Sequence, residues 1–332
     1  MKAFIVDRYG KDSVLRAGEV PDPTVGEHDV LVEVRAASVN ALDAKIKDGE
    51  FKLVLPYKPP FVLGNDLAGV VIAVGRAVRR FAPGDQVYAR PDKDRIGTFA
   101  QLIAVNENDL AIKPAALSMA EAAALPLVAL TAWQALVEKA NLQPGQKVLI
   151  HAGSGGVGSI AIQLAKHLGA HVATTTSTNN VDWVRELGAD LVIDYRTQDF
   201  TTLVRDYDLV LDSLGGQTLE NSLRVVRPGG LVIGIGGPPD PDLARQLGKP
   251  LLRPVLALLS RKIRSKARRH KVTYSFLFMR ADGAQLSQIT SLVDTGAIHP
   301  VLDRVFDFAD TVAALDYVNT GRAKGKVVIT MM

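Results

Sequence analysis

The chain of 332 residues contains no cysteine. This absence excludes structural disulfides, thiolate zinc sites, iron–sulfur clusters and cysteine nucleophiles. Aromatic residues are also scarce, at 6%, but the hydrophobic share reaches 47% and the charged share is 22%. A chain of this composition can bury a core, so we exclude intrinsic disorder, and its length predicts about two domains.

Long uncharged apolar runs are missing as well. No stretch approaches ~18 apolar residues without a charge or a proline, so the sequence predicts no membrane-spanning helix. The strand-like run Ala3–Val6 follows Met1 closely, with no basic segment and apolar core before it. We therefore expect no secretory signal and a cytoplasmic protein.

Excess charge of one sign is small and confined to one segment. The net charge is +4, and a single stretch in the C-terminal third carries seven basic residues. They are Arg261, Lys262, Arg264, Lys266, Arg268, Arg269 and Lys271. Without this stretch the chain would be mildly acidic, so we predict no nucleic-acid partner.

Short strand patterns occupy the first hundred residues, and helix patterns follow them. Asp29–Arg35, Val70–Val74 and Gln86–Ala89 are apolar or alternating runs separated by turns, which is typical of a small barrel or sandwich. A capping-box pair then predicts a helix over Met119–Leu125, and the pattern predicts a second helix over Leu130–Lys139.

Strands and helices alternate after Lys147. The predicted strands are Val148–His151, His171–Thr175, Leu191–Asp194, Asp208–Asp212 and Leu231–Gly236, and the predicted helices are Val157–Leu168, Val181–Leu187 and Gln217–Val226. Repeated βα units indicate a parallel sheet with helices on both faces.

The hexapeptide Gly153-Ser154-Gly155-Gly156-Val157-Gly158 fits the pattern G-x-G-x-x-G. It follows a predicted strand and opens a predicted helix, which is the context of a dinucleotide site. We expect Gly153 to permit a tight turn, Gly155 to let the backbone approach a pyrophosphate, and Gly158 to allow close packing of helix on strand. The amides at the helix N-terminus would then face the anion.

The end of the second predicted strand bears on the choice of dinucleotide. An NAD site usually places an acid about 20 residues after the glycines. Here residues 174–180 carry hydroxyl and amide side chains, and the nearest acid, Asp182, falls inside the next helix. This stretch favours NADP(H) over NAD(H), although it contains no arginine or lysine and the nearest is Arg185.

Three further segments accompany the glycine motif: Val62–Val71 (VLGNDLAGVV), Leu130–Trp133 (LTAW) and Gly321–Val327 (GRAKGKV). With them the chain resembles, over essentially its whole length, the medium-chain dehydrogenases/reductases, specifically the zinc-independent quinone oxidoreductase branch. The resemblance implies an α/β fold with two domains. It implies a GroES-like β-barrel catalytic domain at 1–120 that 272–332 completes. It also implies a Rossmann doubly wound parallel-sheet NADP(H) domain at 121–271. In this chain a basic amphipathic insertion at about 238–271 lengthens that domain beyond the simplest family members.

Asparagines stand where zinc-dependent relatives have zinc ligands. Asn40 takes the position of a cysteine and Asn65 that of a histidine. Because asparagine is a poor zinc ligand, we predict no metal. A simple ketone needs its oxygen polarised during hydride transfer, whereas a quinone or enone spreads the charge into a phenolate or enolate that hydrogen bonds can stabilise.

The resemblance also implies site residues. Asn40 would orient the cofactor ribose or bind a substrate oxygen, Asp43 would hold Lys45, and Lys45 would steady the oxyanion. The implied cofactor contacts are Thr131, Gly153, Ser154, Gly155, Gly156, Val157, Ser177, Tyr195, Ser213, Phe276, Phe278, Arg322, Ala323 and Lys324. Alternative roles are turn capping for Asn40, a solvated amine for Lys45, and packing for Tyr195 and the two phenylalanines.

Residues 252–271 predict an amphipathic helix. Its apolar residues recur at spacings of three and four, and the basic residues occupy the opposite face. The apolar set is Leu252, Val255, Leu256, Leu259, Ile263 and Ala267. Either this face packs on the domain and leaves solvated charges, which we favour, or the helix contacts an anionic membrane surface. A lid or an oligomer contact is a further alternative.

The sequence thus predicts an NADPH-dependent oxidoreductase that transfers hydride to quinones or α,β-unsaturated carbonyl compounds without metal. The resemblance implies a homodimer. One alternative is an NADPH-dependent enoyl-thioester or alkenal reductase. Another is a non-catalytic NADPH-binding sensor or scaffold whose basic helix contacts lipid or RNA.

Overall fold

The computed structural model describes residues 1–52 and 54–331. They form two compact units: Met1–Leu130 together with the segment from Arg280 onward, and Thr131–Met279. The division falls inside a helix, Pro126–Trp133, rather than at residue 120 as predicted. The reason is that the preceding helix, Met119–Ala123, packs on the strands of the first unit.

Strands and helices alternate along the described residues. The strands are β1 Lys2–Val6, β2 Leu15–Glu19, β3 Asp29–Val39, β4 Phe61–Val62, β5 Asp66–Val74, β6 Gln86–Ala89, β7 Leu102–Asn106, β8 Leu110–Ile112, β9 Lys147–Ile150, β10 His171–Thr176, β11 Leu191–Asp194, β12 Tyr207–Asp212, β13 Val226–Gly234, β14 Thr273–Phe276, β15 Leu302–Asp307 and β16 Lys326–Thr330. The α-helices are α1 Ala41–Asp48, α2 Met119–Ala123, α3 Pro126–Trp133, α4 Gly156–His167, α5 Val181–Glu186, α6 Phe200–Leu203, α7 Gly216–Ser222, α8 Asp242–Gln246, α9 Arg253–Leu259, α10 Arg261–Arg269, α11 Gly283–Asp294 and α12 Thr311–Asn319.

The first unit contains a seven-stranded sheet in the order β15-β16-β3-β5-β6-β8, with β7 also paired to β3. The C-terminal strand β16 is antiparallel to β3, with Val328 opposite Ser38. On its other side β3 is antiparallel to β5, where Ser38 lies opposite Asp66. The first residues of β5 and β16 therefore lie on either side of the C-terminal end of β3.

The second unit is built on six parallel strands in the order β11-β10-β9-β12-β13-β14. Numbered within the unit this order is 3-2-1-4-5-6, which is that of the Rossmann fold. Its core contains Leu149 and Val210 from the sheet with Leu219 of α7 and Ile263 of α10. The predicted doubly wound parallel sheet is confirmed.

Several element boundaries differ from the sequence prediction. The helix predicted over Gln217–Val226 ends at Ser222, because Val226 pairs with Tyr207 and begins β13. The helix predicted from Leu130 begins at Pro126, and a π-helical segment, Gln134–Lys139, follows it. Within residues 1–52 and 54–331, no helix has the length and apolar character needed to cross a bilayer.

Candidate active and cofactor sites

A buried polar cluster lies where β3, β5 and β16 meet in the first unit. The Asp66 carboxylate oxygen Oδ2 accepts hydrogen bonds from Ser38 Oγ at 2.6 Å and from Asn40 Nδ2 at 2.8 Å. Lys326 Nζ donates to Asn40 Oδ1 and lies 3.6 Å from the same Asp66 oxygen. Each of these side chains is at most 6% exposed. The cluster thus pairs one carboxylate with one ammonium through an amide.

Helix α1 begins at this cluster and adds a second carboxylate. Asn40 is the N-cap of α1, and its backbone N–H donates to Asp43 Oδ2 at 2.7 Å. Asp43 Oδ1 accepts a hydrogen bond from Asn65 Nδ2 at 2.7 Å. Asn65 is fully buried, and its own Oδ1 has no hydrogen-bond partner within the described part of the chain.

Burial sets the protonation behaviour of this site. It raises the pKa of Asp43 to about 7, although the hydrogen bonds from Asn65 and Asn40 oppose the shift. Burial also lowers the pKa of Lys326, and the carboxylates of Asp66 and Asp43 oppose that shift. The first unit therefore contains a carboxyl group that can change its protonation state near neutral pH.

Two of the three predicted catalytic residues lie together. Asn40 and Asp43 both belong to the cluster, but both polar atoms of the Asn40 amide are engaged by partners within the domain. Lys45 is exposed, and across the described residues no ion pair joins it to Asp43. The expected Asp43–Lys45 pair is therefore not formed, because residues two apart on a helix do not face each other.

Sequence reasoning missed the two charged residues that hold the cluster together. Asp66 and Lys326 both lie in segments that carry the family resemblance, GNDLAG and GKV. Each opens a strand whose next three residues are apolar or glycine. A charge at the first position of a buried strand is a usable signal, because it is rarely tolerated without a partner.

The cluster does not fit a zinc ion. The resemblance aligns Asn40 and Asn65 with zinc ligands of zinc-dependent relatives, but in this chain the oxygen of Asn40 accepts a hydrogen bond from the ammonium of Lys326. A divalent cation there would face that positive charge at short range. Among residues 1–52 and 54–331, no group of three or more His, Asp or Glu side chains could hold a metal. The absence of a metal stays a prediction.

The glycine motif forms the turn between β9 and α4 in the second unit. We expected Gly153 to permit the tight turn, but the left-handed backbone falls on Ala152, with φ of 54°. Gly153 is required instead because a Cβ there would lie 2.3 Å from Thr174 Oγ1. A Cβ on Gly158 would lie 2.2 Å from the carbonyl oxygen of Ala152, so this glycine permits the close packing of helix and turn.

The N-terminus of α4 has the properties of an anion site. Gly155 is the N-cap, and a Cβ there would meet only the Ala152 carbonyl, at 3.3 Å, with open space beyond it. The first amides of a helix have no partner within it. Gly156 and Val157 provide such amides, and Ser154 immediately precedes the cap. These residues fit a pyrophosphate, which would meet the positive helix end.

The ends of β10 and β11 lie side by side, with Thr176 opposite Asp194. Ser177 follows β10, and Tyr195 follows β11 with 58% of its surface exposed. Arg196 is exposed too, and its guanidinium lies 5.8 Å from the centre of the Tyr195 ring. The sequence showed no cation close to Ser177, because Arg196 follows the neighbouring strand β11 and not β10.

The same edge carries a carboxylate that the sequence reading also missed. Asp194 Oδ2 accepts a hydrogen bond from Thr178 Oγ1 at 2.7 Å, and its Oδ1 accepts one from the backbone N–H of Arg196 at 3.0 Å. The Thr178 hydroxyl lowers the pKa of Asp194. These two hydrogen bonds stabilise the turn that contains Tyr195 and Arg196.

The other expected cofactor contacts are spread over both units. Ser213 follows β12, beside the glycine turn, and its Oγ lies 3.5 Å from the carbonyl oxygen of His151. Phe276 and Phe278 are partly buried against α8 and α9. Thr131 is buried. Arg322, Ala323 and Lys324 precede β16 in the first unit. The cofactor roles of all these residues stay predictions.

Comparisons with known proteins agree with this arrangement. Two family models match: "Alcohol dehydrogenase GroES-like domain" over residues 26–115 and "Zinc-binding dehydrogenase" over residues 187–329. The chain is 33% identical to the NAD(P)H oxidoreductase RTN4IP1, mitochondrial, of Danio rerio, with 100% of this chain and 92% of that protein covered. It is 37% identical to the 2-methylene-furan-3-one reductase of Solanum lycopersicum, with 99% and 79% covered.

A solved structure has a similar fold over the whole chain. The quinone oxidoreductase from Coxiella burnetii has a TM-score of 0.86 and 29% identity, with 100% of this chain and 99% of that chain covered. The predicted GroES-like domain and the predicted family are thereby confirmed. The chain belongs to the medium-chain dehydrogenase/reductase family, in its quinone oxidoreductase-like branch, and is an NAD(P)H-dependent oxidoreductase.

Proposed function

We propose that this protein uses NADPH to reduce quinones or α,β-unsaturated carbonyl compounds by hydride transfer, without a metal. The observation that carries the proposal is the hydrogen bond from Lys326 to Asn40, with Asp66 beside it. At the position where zinc-dependent relatives have a zinc ligand, this chain has a neutral amide that is hydrogen-bonded to an ammonium. A site of this kind has no strong Lewis acid, which suits acceptors that delocalise the incoming charge.

The bound dinucleotide would supply the hydride. Ser154, Gly155, Gly156 and Val157 would hold its pyrophosphate at the N-terminus of α4, where the first amides are unpaired. Hydride addition to a quinone or an enone places negative charge on the conjugated oxygen, giving a phenolate or an enolate. Lys45 is exposed and free to approach such an oxygen, whereas the Asn40 amide is engaged by Asp66 and Lys326.

The names of two relatives support this class of acceptor. One similar structure is that of a quinone oxidoreductase, and one similar sequence is that of a 2-methylene-furan-3-one reductase. A quinone and a 2-methylene-furan-3-one both contain a carbonyl group conjugated to a carbon–carbon double bond. The shared chemistry is therefore hydride addition to a conjugated carbonyl system.

NADPH is the proposed form of the cofactor. Ser177 and Tyr195 flank the edge where β10 and β11 end, and Arg196 supplies a cation there. A guanidinium is well suited to a phosphate because it donates several hydrogen bonds in a plane.

An acceptor panel tests the proposal. Oxidation of NADPH and of NADH is followed by nicotinamide absorbance with quinones, enones, alkenals, an enoyl thioester and simple ketones. We expect turnover with conjugated acceptors and NADPH, and none with simple ketones. Reduction of simple ketones alone would contradict the acceptor class. Tight NADPH binding without turnover on any acceptor would favour a sensor or scaffold instead.

Other expectations about this protein stay predictions. They are a homodimer, the absence of a nucleic-acid partner, a cytoplasmic location and contact between residues 252–271 and an anionic membrane. Sedimentation velocity of the purified chain measures the first, and an oligomer other than a dimer would contradict it.

A further inference from the structure

Residues 252–271 do not form the single amphipathic helix that the sequence predicts. They form α9 and α10, which are interrupted at Ser260, whose Oγ donates to the Leu256 carbonyl oxygen at 2.7 Å. Leu256, Ser260, Ile263 and Ala267 are buried, at spacings of four, three and four. The inner face of both helices is therefore already covered by the domain, as the packing interpretation requires.

The outer face of α9 is apolar, and the domain does not cover it. Within α9, Leu258 is 69% exposed, Leu259 56% and Val255 51%, and Leu251, in the turn just before α9, is 90% exposed. The sequence pattern predicted Val255 and Leu259 on the packed face, but in the structure both side chains lie on the exposed face of α9. Four large aliphatic side chains within nine residues of surface are unusual for a region in contact with water only.

The outer face of α10 is cationic and continues from α9. Leu258 shares a surface groove of about 420 Å³ with basic residues of α10, which are Arg261, Lys262, Lys266 and Arg269. Lys262 and Lys266 both pair with Glu220 of α7, which fixes the orientation of α10. Within the described chain Arg261 and Arg269 form no ion pair, and residues 249–271 contain no acid.

We propose that the outer face of α9 and α10 binds the surface of an anionic lipid bilayer. The exposed leucines and valine of α9 would enter the boundary between headgroups and acyl chains, and Arg261 and Arg269 would contact lipid phosphates. Apolar insertion and attraction to anionic headgroups act together in interfacial helices. The rigid inner face holds the four side chains outward, so no part of the domain has to unfold to bind.

Two features favour a bilayer over other occupants. Single-stranded nucleic acids are bound by aromatic side chains that stack on bases, and residues 248–271 contain no Phe, Tyr or Trp. A second copy of this chain would bring the same uncompensated arginines against each other, because a symmetric interface pairs a surface with itself. Anionic lipid complements both the charge and the apolar surface.

Vesicle sedimentation tests the proposal with the full chain. The protein is mixed with vesicles of phosphatidylcholine alone or with about one-third phosphatidylglycerol, at low and high salt. We expect roughly tenfold or greater partitioning onto the anionic vesicles, weakened by salt. V255S/L258S/L259S and R261Q/R269Q should each reduce that partitioning about tenfold.

Matched controls replace exposed residues elsewhere. V14S/L203S removes two exposed aliphatic side chains, and R205Q/R224Q removes two exposed arginines. Both should partition like the unmodified protein, and thermal unfolding verifies that every variant is folded. Equal recovery with both kinds of vesicle would overturn the proposal. So would unchanged binding of the triple variant, which indicates a purely ionic surface such as one for RNA. Conversion of an oligomer to a monomer by the triple variant would instead identify a contact between copies.

Discussion

The ammonium of Lys326 lies 3.6 Å from the carboxylate of Asp66, and both groups are buried. The two residues open strands that flank β3, so the pair links the C-terminal strand to the N-terminal part of the first unit. A buried pair of this kind costs desolvation, but it leaves a strongly unfavourable lone charge when one partner is removed. The pair therefore makes the C-terminal segment part of the domain core.

Replacement of Lys326 by methionine should destabilise the protein by about 3–5 kcal/mol, because Asp66 remains as an uncompensated buried charge. K326M/D66N should recover much of that loss, since the asparagine carries no charge. Urea unfolding measures both variants. The exposed neighbour Lys324 gives the matched control, and K324M should change the free energy of unfolding by less than about 0.5 kcal/mol. Equal effects of the two lysine substitutions would contradict this account.

Asp43 should make stability depend on pH. Its pKa is about 7 in the folded protein and 3.8 without the fold, so the folded state holds its proton to higher pH. The contribution of Asp43 is fully present below pH 3.8 and is lost as the pH rises through about 7. In the protonated form the carboxyl can donate to Asn65, whose Oδ1 becomes its partner if the amide rotates.

Removal of this titrating group should weaken the dependence of the free energy of unfolding on pH. Between pH 5 and pH 7 the unmodified protein should lose on the order of 2 kcal/mol from Asp43, and D43N should not. Denaturant unfolding at several pH values measures the difference. The exposed Asp12 provides the control, because D12N should keep the pH profile of the unmodified protein. A parallel pH profile for D43N would contradict the assignment.

The fold was largely predictable because its signals are local. The βα alternation after Lys147 predicts a parallel sheet, which was confirmed, and the glycine motif lies in the turn between β9 and α4 as expected. The reason why each of these positions requires glycine was not predictable. The positive φ falls on Ala152, and Gly153 is needed because of Thr174 on the neighbouring strand, a contact between residues 21 positions apart.

The site was predictable only in part because its groups come from distant segments. Asn40 and Asp43 were found through the family resemblance. Lys326 lies 286 residues from Asn40, and only the pairing of β16 with β3 brings them together. Arg196 was missed for the same reason, since it follows β11, and only the pairing of β10 with β11 brings the ends of these two strands side by side.

Two alanine substitutions should separate cofactor binding from folding. G158A places a Cβ 2.2 Å from the Ala152 carbonyl oxygen, so the backbone must move, at a cost of about 1–3 kcal/mol. G155A meets only the same carbonyl at 3.3 Å, and it should cost less than about 1 kcal/mol. Its methyl group nevertheless enters the space where the pyrophosphate would lie. Thermal unfolding and NADPH titration by tryptophan emission measure both effects. A G155A variant that binds NADPH normally would place the pyrophosphate elsewhere.

Replacement of Arg196 by glutamine should weaken NADPH binding and spare NADH. The guanidinium lies beside Tyr195 at the edge shared with Ser177, and a charged hydrogen bond to a phosphate is worth more than a neutral one. Because the side chain is exposed and screened by solvent, we expect an increase of about tenfold in the Kd for NADPH and less than about twofold for NADH. R205Q, which removes an exposed arginine from the same unit, should change neither Kd. The discriminating quantity is the ratio of the two Kd values, because a general loss of folding or of pyrophosphate binding raises both together. An unchanged ratio in R196Q would remove this arginine from the 2′-phosphate site and, with it, the main support for NADPH over NADH.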